Sequence, residues 1–249
     1  SYVGDVQAVV ISTAVKSDNP ELIEARKQRI PVMHRSEMLS EIMRNRLSIA
    51  VAGTHGKTTT TSLMAWVLDV AKMDPTVVNG GIINDYNTNA RLGSSNWAVV
   101  EADESDGSFT RLLGTIGVIT NIDPEHMDFY NSFDEIQDAF FHFVKNLPFY
   151  GFAVVCYDHP NVKKLVDKIT DRRVITYGIE NAQANVSALN LLFSEGGVTF
   201  DVILSDTYLS CGNSIVSKSA ELTSYPKILK DIFLPMMGKH NVENTLSVI

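Results

Sequence analysis

The chain has 249 residues, 45% of them hydrophobic, enough for a buried core in one large or two modest domains. Its 29 acidic residues against 21 basic ones leave a net charge of −8 with no basic block, which argues against nucleic acid as a partner, because phosphate-backbone binding needs clustered Lys and Arg. No apolar run approaches the roughly 20 residues of a membrane span, the opening residues carry no signal-peptide pattern, and Cys156 and Cys211 fit a reducing cytoplasm better than a disulfide framework.

Val6 to Ser12 is a continuous apolar run of the kind a parallel sheet buries on both faces. Asn19-Pro20 predicts a helix with Asn19 as cap and Pro20 at its first position, carrying Leu22, Ile23 and Ala25 to about Arg29. Ile30-Pro31-Val32 predicts a short strand, and Ser36 is expected to cap a helix bearing Met38, Leu39, Ile42 and Met43. Strand, helix, strand, helix reads as the trailing half of a doubly wound domain. The polar Arg44-Asn45-Arg46 then marks a boundary, with a Rossmann-like remnant over residues 1–46 and a second domain over 47–249. The last residues, Thr245 to Ile249, lie inside an apolar helical pattern without a stop signal, so a piece of a longer protein is expected.

The strand Leu47 to Ala52 runs into Gly53-Thr54-His55-Gly56-Lys57-Thr58-Thr59-Thr60-Thr61. Glycines at 53 and 56 let the backbone curl so that its amides point inward, and Lys57 adds a positive charge beside the positive end of a helix. The natural guest is a polyphosphate. Thr58 stands where a P-loop offers a hydroxyl to the nucleotide's Mg²⁺. The spacing departs from G-x-x-x-x-G-K-[ST], because only Thr54 and His55 separate the two glycines. An ordinary strand-to-helix turn is the alternative, but it leaves the threonine run unexplained: threonines are poor helix formers, and a run at the first turn suggests hydroxyls in use. Leu63, Trp66, Val67 and Val70 recur at helical spacing and are expected to face a sheet, with Asp74-Pro75 ending the helix.

Thr76 to Val78 predicts a strand, followed by a polar loop from Asn79-Gly80-Gly81 through Asn89. Trp97 to Glu101 is the next strand and runs into Asp103, Glu104 and Asp106; Ile116 to Ile122 follows and runs into Asp123-Pro124-Glu125-His126-Met127-Asp128. Ligands of open α/β sheets lie beyond the carboxyl ends of strands, so these ends are expected to bring Gly-Lys-Thr, Glu101 and His126 to one crevice. Glu101 reads as a Walker B-like acid for Mg²⁺, against the alternative of an exposed carboxylate in an acidic loop. His126 reads either as a metal ligand oriented by neighbouring carboxylates or as a structural histidine. His34, His142 and His159 read as helix-face or loop residues.

Ser132 with Glu135 forms the pattern of a capping box, and Phe133, Ile136, Phe140, Val144 and Leu147 form the stripe of the helix it opens. Phe152 to Tyr157, Val162 to Ile169 and Arg173 to Tyr177 continue the alternation of strand and helix. From Asn185 to about Leu209 the pattern changes to antiparallel strands at an edge, and residues 210–228 have no assignment. Phe233 to Met237 leads into a last helix beginning near His240, Asn241 and Asn244. The two asparagines share a face and can read a base edge, or Asn241 can cap the helix. The fold class expected is α/β, a mostly parallel P-loop-type central sheet with flanking helices and a small antiparallel edge.

Gly53-Thr-His-Gly-Lys-Thr-Thr, Glu101-Ala-Asp-Glu-Ser-Asp, Asn121-Ile-Asp-Pro-Glu-His-Met-Asp and Gly238-Lys-His-Asn-Val-Glu-Asn, in this order, resemble the signature of the Mur ligases. These are ATP-dependent amide ligases of peptidoglycan precursor synthesis. The resemblance spans residues 1–249 and implies three domains: residues 1–46 as the end of a UDP-sugar-binding domain, 47–249 as the central ATPase, and an amino-acid-binding domain beyond this chain. It implies ATP with Mg²⁺, or Mn²⁺ in its place. Lys57, Glu101 and His126 are implied as catalytic; Gly53, Thr54, His55, Gly56, Lys57, Thr58 and Thr59 as the phosphate cradle; His240, Asn241 and Asn244 as the adenine side. Thr58 and Glu101 would hold the nucleotide's metal ion, His126 a second one, and Ser12 with Thr13 would face the UDP-sugar.

Within the family, the second and third motifs look most like the branch joining L-alanine to UDP-N-acetylmuramate through an acyl phosphate. The tripeptide-recycling branch and a non-catalytic nucleotide-binding module are the rival readings; a regulatory GTPase would call for an Asn-Lys-x-Asp tetrapeptide, which does not occur. Many relatives carry a lysine, carbamylated and bridging metals, about one helix-length after the His126 position. Here Phe140, Phe141 and His142 stand there and Lys145 falls one turn late, so carbamylation is not carried over.

Overall fold

The computed structural model describes residues 3–84, 86–205 and 227–249. The chain begins with β1 (Val9–Ile11), α1 (Pro20–Lys27), β2 (Val32–His34) and α2 (Arg35–Met43). The Asn19 side chain accepts from the backbone of Glu21 and Leu22, which starts α1 as expected. At α2 the cap is His34 and not Ser36: the imidazole accepts from Ser36 N, and the Glu37 carboxylate accepts from His34 N. β1 and β2 pair in parallel as a separate two-stranded sheet. That sheet is too narrow to be covered on both faces, and Val10 remains 46% exposed, contrary to the reading of Val6 to Ser12 as a doubly buried run.

The second sheet takes in β3 (Leu47–Ala52), α3 (Lys57–Val70), β4 (Thr76–Ile83), β5 (Thr88–Arg91), β6 (Trp97–Glu101), β7 (Ile116–Ile119), α4 (Phe133–Lys145), β8 (Phe152–Cys156), α5 (Pro160–Lys168), β9 (Arg173–Ile179), β10 (Val186–Ser194), β11 (Gly197–Leu204), β12 (Ile228–Leu234) and α6 (Lys239–Leu246). Its ten strands run in the order β12-β11-β10-β9-β8-β7-β3-β6-β4-β5. Pairing is parallel from β10 across to β4. It is antiparallel at both ends, between β10, β11 and β12 on one side and between β4 and β5 on the other. The mostly parallel α/β fold is therefore the one expected, with two antiparallel edges rather than one.

The unexpected edge replaces the predicted polar loop after Val78. Asn79-Gly80-Gly81 continues β4, and the pairing with β5 skips between Val78 and Ile83, a bulge that erases the alternation by which a strand is recognised. β3 lies inside the sheet, between β6 and β7, where Ala50, Val51 and Ala52 are fully buried.

Helix α3 turns a different face inward from the one expected. Thr60, Thr61, Met64 and Ala65 are buried, while Trp66, Val67 and Val70 are exposed. Small side chains at 60, 61 and 65 let the helix lie close over the sheet, and Met64 packs with Ile49, Val51, Val99 and Val118. On α4, Ile136, Phe140 and Val144 are buried as expected, as is Leu147 just beyond its end, and Phe143 joins them beside Phe109. Ser132 accepts from Glu135 N, but the Glu135 carboxylate accepts from Asn131 N, so only half of the capping box forms. Cys156 is a free, buried thiol, and burial pushes its pKa up to about 12. Cys211 and most of the unassigned stretch 210–228 lie outside the described residues.

Candidate nucleotide site

The turn between β3 and α3 depends on two glycines. Gly53 has φ +137° and Gly56 φ +81°, both in the region that side chains disfavour. A Cβ on Gly53 would collide with Thr120 Oγ1, and one on Gly56 would come 2.6 Å from Asn244 Oδ1. The turn is bolted to the end of β7. Thr54 N donates to Asn121 O at 3.2 Å, His55 N to Asn121 Oδ1 at 2.7 Å, Thr120 Oγ1 to His55 O at 2.6 Å, and Asp123 N to Thr54 Oγ1 at 2.8 Å. The His55 ring is exposed, with Nε2 3.4 Å from Glu125.

Lys57 folds back over this turn. Its Nζ donates to Gly53 O at 2.7 Å, Thr54 O at 3.1 Å and Glu104 Oε1 at 2.9 Å, which occupies all three ammonium protons. Glu104 is 2% exposed. Its backbone carbonyl accepts from Tyr130 Oη at 2.7 Å, and His126 Nε2 lies 3.4 Å from its Oε1. Burial raises the Glu104 carboxyl above its ordinary value, while the Lys57 ammonium and His126 pull the other way. Burial likewise pushes the Tyr130 phenol up to about 12, so it is a donor at every working pH.

Beside this cluster, Thr58 Oγ1 donates to Glu101 Oε2 at 3.0 Å, and Gly80 N donates to the same oxygen at 2.9 Å. The space for Glu101 exists because position 80 is glycine: a Cβ there would sit 2.7 Å from Glu101 Oε1. Neighbouring ligands of an octahedral Mg²⁺ with bonds of about 2.1 Å lie roughly 3 Å apart, so the Thr58–Glu101 pair fits a nucleotide-borne ion. Among the described residues no three His, Cys, Asp or Glu side chains are grouped to hold a metal.

The three strand ends thus bring Lys57, Thr58, Glu101 and His126 together, with Glu104 between them. Thr60 and Thr61, by contrast, have buried hydroxyls with no hydrogen-bond partner, so the expectation of hydroxyls in use holds at Thr58 and fails at these two. Thr59 is half-buried. Asn244 is 6% exposed and packs on Gly56, and the Asn241 amide donates to Met237 O at 2.7 Å. Asn241 does not cap α6, whose N-cap is Gly238, and the His240 ring lies over that glycine. Lys145 is engaged with Asp171, away from His126.

A cleft of about 640 Å³ opens between α4, the segment after β6 and the amino-terminal residues, and is lined by Thr13, His34, Asp106, Phe129 and His142, among others. Ser12 is half-buried and outside that lining. His34 and His142, read from sequence as helix-face or loop residues, face this cleft, and His34 Nε2 is 3.8 Å from Asp106. The acids after β6, read from sequence as either support for the site or loop charge, each have a partner: Asp103 pairs Arg35 at 2.8 Å, Glu104 pairs Lys57, and Asp106 faces His34. His159, similarly passed over, lies 3.3 Å from Asp123, in the loop after β7 to which the Gly53–Thr59 turn is hydrogen-bonded.

The chain matches the family model of the Mur ligase middle domain over residues 51–249, and that of the Mur ligase family, catalytic domain, over residues 2–47. It is 54% identical over 241 residues to UDP-N-acetylmuramate--L-alanine ligase of Rhodopseudomonas palustris (strain TIE-1), covering 97% of this chain and 48% of that protein. It is 52% identical over 246 residues to the protein of the same name from Chelativorans sp. (strain BNC1), covering 99% of this chain and 50% of that one. The chain spans about half the length of the curated relatives it matches. Among solved structures, the UDP-N-acetylmuramate-alanine ligase of Thermotoga maritima superposes with a TM-score of 0.74 at 26% identity, over 97% of this chain and 50% of that one. The UDP-N-acetylmuramate:L-alanyl-gamma-D-glutamyl-meso-diaminopimelate ligase of Neisseria meningitides gives 0.77 at 25% identity, over 97% and 72%. With a Mur ligase middle-domain model matched over residues 51–249 and a Mur ligase family model over residues 2–47, the chain belongs to the Mur ligase family.

Proposed function

We propose that the protein carrying this chain joins L-alanine to UDP-N-acetylmuramate at the expense of ATP, in the cytoplasm, as a step of peptidoglycan precursor synthesis. The observation that carries the reading is the gathering of Lys57, Thr58, Glu101 and His126 at the ends of the adjacent strands β3, β6 and β7. Relatives named for this reaction, 52–54% identical over nearly the whole chain, support the choice of substrates. No described helix is long and apolar enough to cross a membrane.

A carboxylate and an amine do not condense in water, because hydroxide is a poor leaving group. The sugar's lactyl carboxylate therefore attacks the γ-phosphorus of ATP, ADP departs, and an acyl phosphate results. The alanine amine then adds to the acyl carbon, loses its proton, and expels inorganic phosphate. The amides of the Gly53 to Thr59 turn would cradle the phosphates, and Lys57 would leave Glu104 for the transferred phosphoryl group, stabilising charge that develops there. Thr58 with Glu101, and His126 separately, would hold divalent cations, Mg²⁺ or Mn²⁺, which neutralise phosphate charge when bound. His240, Asn241 and Asn244 belong to the adenine side, and Ser12 and Thr13 to the UDP-sugar side. Residues 1–46 would close the sugar-binding domain, 47–249 would form the ATPase, and alanine would be held by the part of the protein outside this chain.

The test is phosphate release by the full-length protein, which is expected to require ATP, UDP-N-acetylmuramate and L-alanine together. A preference for tripeptide over alanine would favour the recycling reaction, the reading to which the Neisseria structure's similarity lends itself. Nucleotide binding without any turnover would contradict both.

A further inference from the structure

Among the described residues, Glu104 is the only Asp, Glu, Lys, Arg or His that is buried. Its buried charge is tolerable only against a cation. Lys57 Nζ provides one, 2.9 Å from each carboxylate oxygen, but it has hydrogen-bond geometry to Oε1 alone and leaves Oε2 without a hydrogen bond. On the other side stands His126, whose Nε2 is 3.4 Å from Oε1. The imidazole reaches that point because His126 adopts φ +55°, a conformation held by Phe129 N and Tyr130 N, which donate to its carbonyl at 3.0 and 3.1 Å.

These two donors have the spacing of neighbouring ligands on one ion. On an octahedral cation with bonds of about 2.1 Å, adjacent donors are roughly 3 Å apart, and the imidazole–carboxylate distance is 3.4 Å. The pair is also electrostatically unfinished. If a triphosphate draws Lys57 onto its own oxygens, Glu104 is left as a buried carboxylate with no cation beside it.

We propose that Glu104 is the carboxylate that shares a divalent cation with His126, and that the Lys57 ammonium holds that cation's place until a triphosphate takes the lysine away. The proposal rests on the nucleotide reading given above, and it adds a ligand to it. Water and substrate oxygens complete the ion's shell, as is usual where the protein offers one or two donors. Filling the site and moving Lys57 are then one exchange, so triphosphate and second cation bind cooperatively.

The experiment is an electron paramagnetic resonance titration of Mn²⁺ into the full-length protein, with and without a nonhydrolysable ATP analogue. Two Mn²⁺ per chain are expected with the analogue in the unaltered protein. Glu104→Gln is expected to keep the first Mn²⁺, to weaken the second by at least about tenfold, and to bind the analogue detectably but less tightly, since the two bind cooperatively. His126→Asn should weaken the same one, and the double variant should weaken it further while leaving the first Mn²⁺ in place. Glu104→Asp, which keeps the charge on a shorter stem, provides an intermediate loss should the Gln variant fold poorly. A second Mn²⁺ bound with unchanged affinity by either Glu104 variant would overturn the assignment and leave the nucleotide reading standing. An unaltered protein that binds no analogue would overturn that reading instead.

Discussion

Lys57 uses all three ammonium protons on its own turn and on Glu104, so a triphosphate has to win it from neighbours already in place. Lys57→Ala is expected to lower kcat by roughly 10²–10³-fold while the fold persists, the size of effect seen when one charge-stabilising donor is removed. Circular dichroism and steady-state kinetics on the same sample check both halves. Gly56→Ala should weaken ATP binding by at least an order of magnitude, because a side chain at φ +81° meets the Asn244 amide. Equilibrium titration with an ATP analogue measures it, and unchanged affinity would remove Gly56 from the cradle. Gly53, Gly56, Lys57, Glu101 and His126 were legible in the sequence because each follows an apolar strand and has a residue type with a distinct chemistry. Glu104 was not legible. It is one of several acids in a short loop, and only the three-dimensional path of that loop puts it under Lys57 and leaves Asp103 and Asp106 facing α2 and β2.

Among the elements, α3 separates propensity from packing most clearly. Its bulky apolar residues Trp66, Val67 and Val70 lie outward, and the inner face is built from threonine, alanine and Met64. A hydrophobic count selects the wrong stripe, since close approach to a sheet rewards small side chains over large ones. Met64→Ala is expected to cost about 2–5 kcal/mol in denaturant unfolding, whereas Val70→Lys should stay within about 0.5 kcal/mol. The reverse order would restore the face read from the sequence. Strands β3 and β6 were legible to the residue because parallel strands covered on both faces are largely apolar runs, broken here only by Ser48 and the terminal Glu101. The β4–β5 hairpin was hidden by Gly80 and Gly81, and at Gly80 the lack of a side chain makes room for the Glu101 carboxylate.

At the scale of the whole molecule, the hairpin is fastened to α3 by Arg91, which pairs with both Asp69 and Asp74. Hydrogen bonds from Ser94 and the Arg91 guanidinium hold the Asp74 carboxyl down at about 2, and Asp69 also lies below its ordinary value, held there against its burial chiefly by its hydrogen bond from Arg91. Carboxylates depressed in the folded state stabilise it fully above their unfolded values near 4, and that contribution fades as pH falls through the folded ones. Thermal stability should therefore decline from about pH 5 toward pH 2, and Asp74→Asn should flatten part of that slope; an identical slope in the variant would discount the clasp. Fold class and family were readable from motif order alone, whereas the pairing of the acidic loop with the amino-terminal residues depends on contacts between distant segments that no local pattern encodes.

The central claim is that separate strands deliver one triphosphate site, and the most direct measurement is a crystal structure of the full-length protein with a nonhydrolysable ATP analogue and Mn²⁺. The account predicts the γ-phosphate beside Lys57, one Mn²⁺ on Thr58 and Glu101, and Mn²⁺ anomalous density between Glu104 and His126. A nucleotide seated instead in the cleft of Thr13, His34 and His142, with Lys57 still folded onto Glu104, would contradict it.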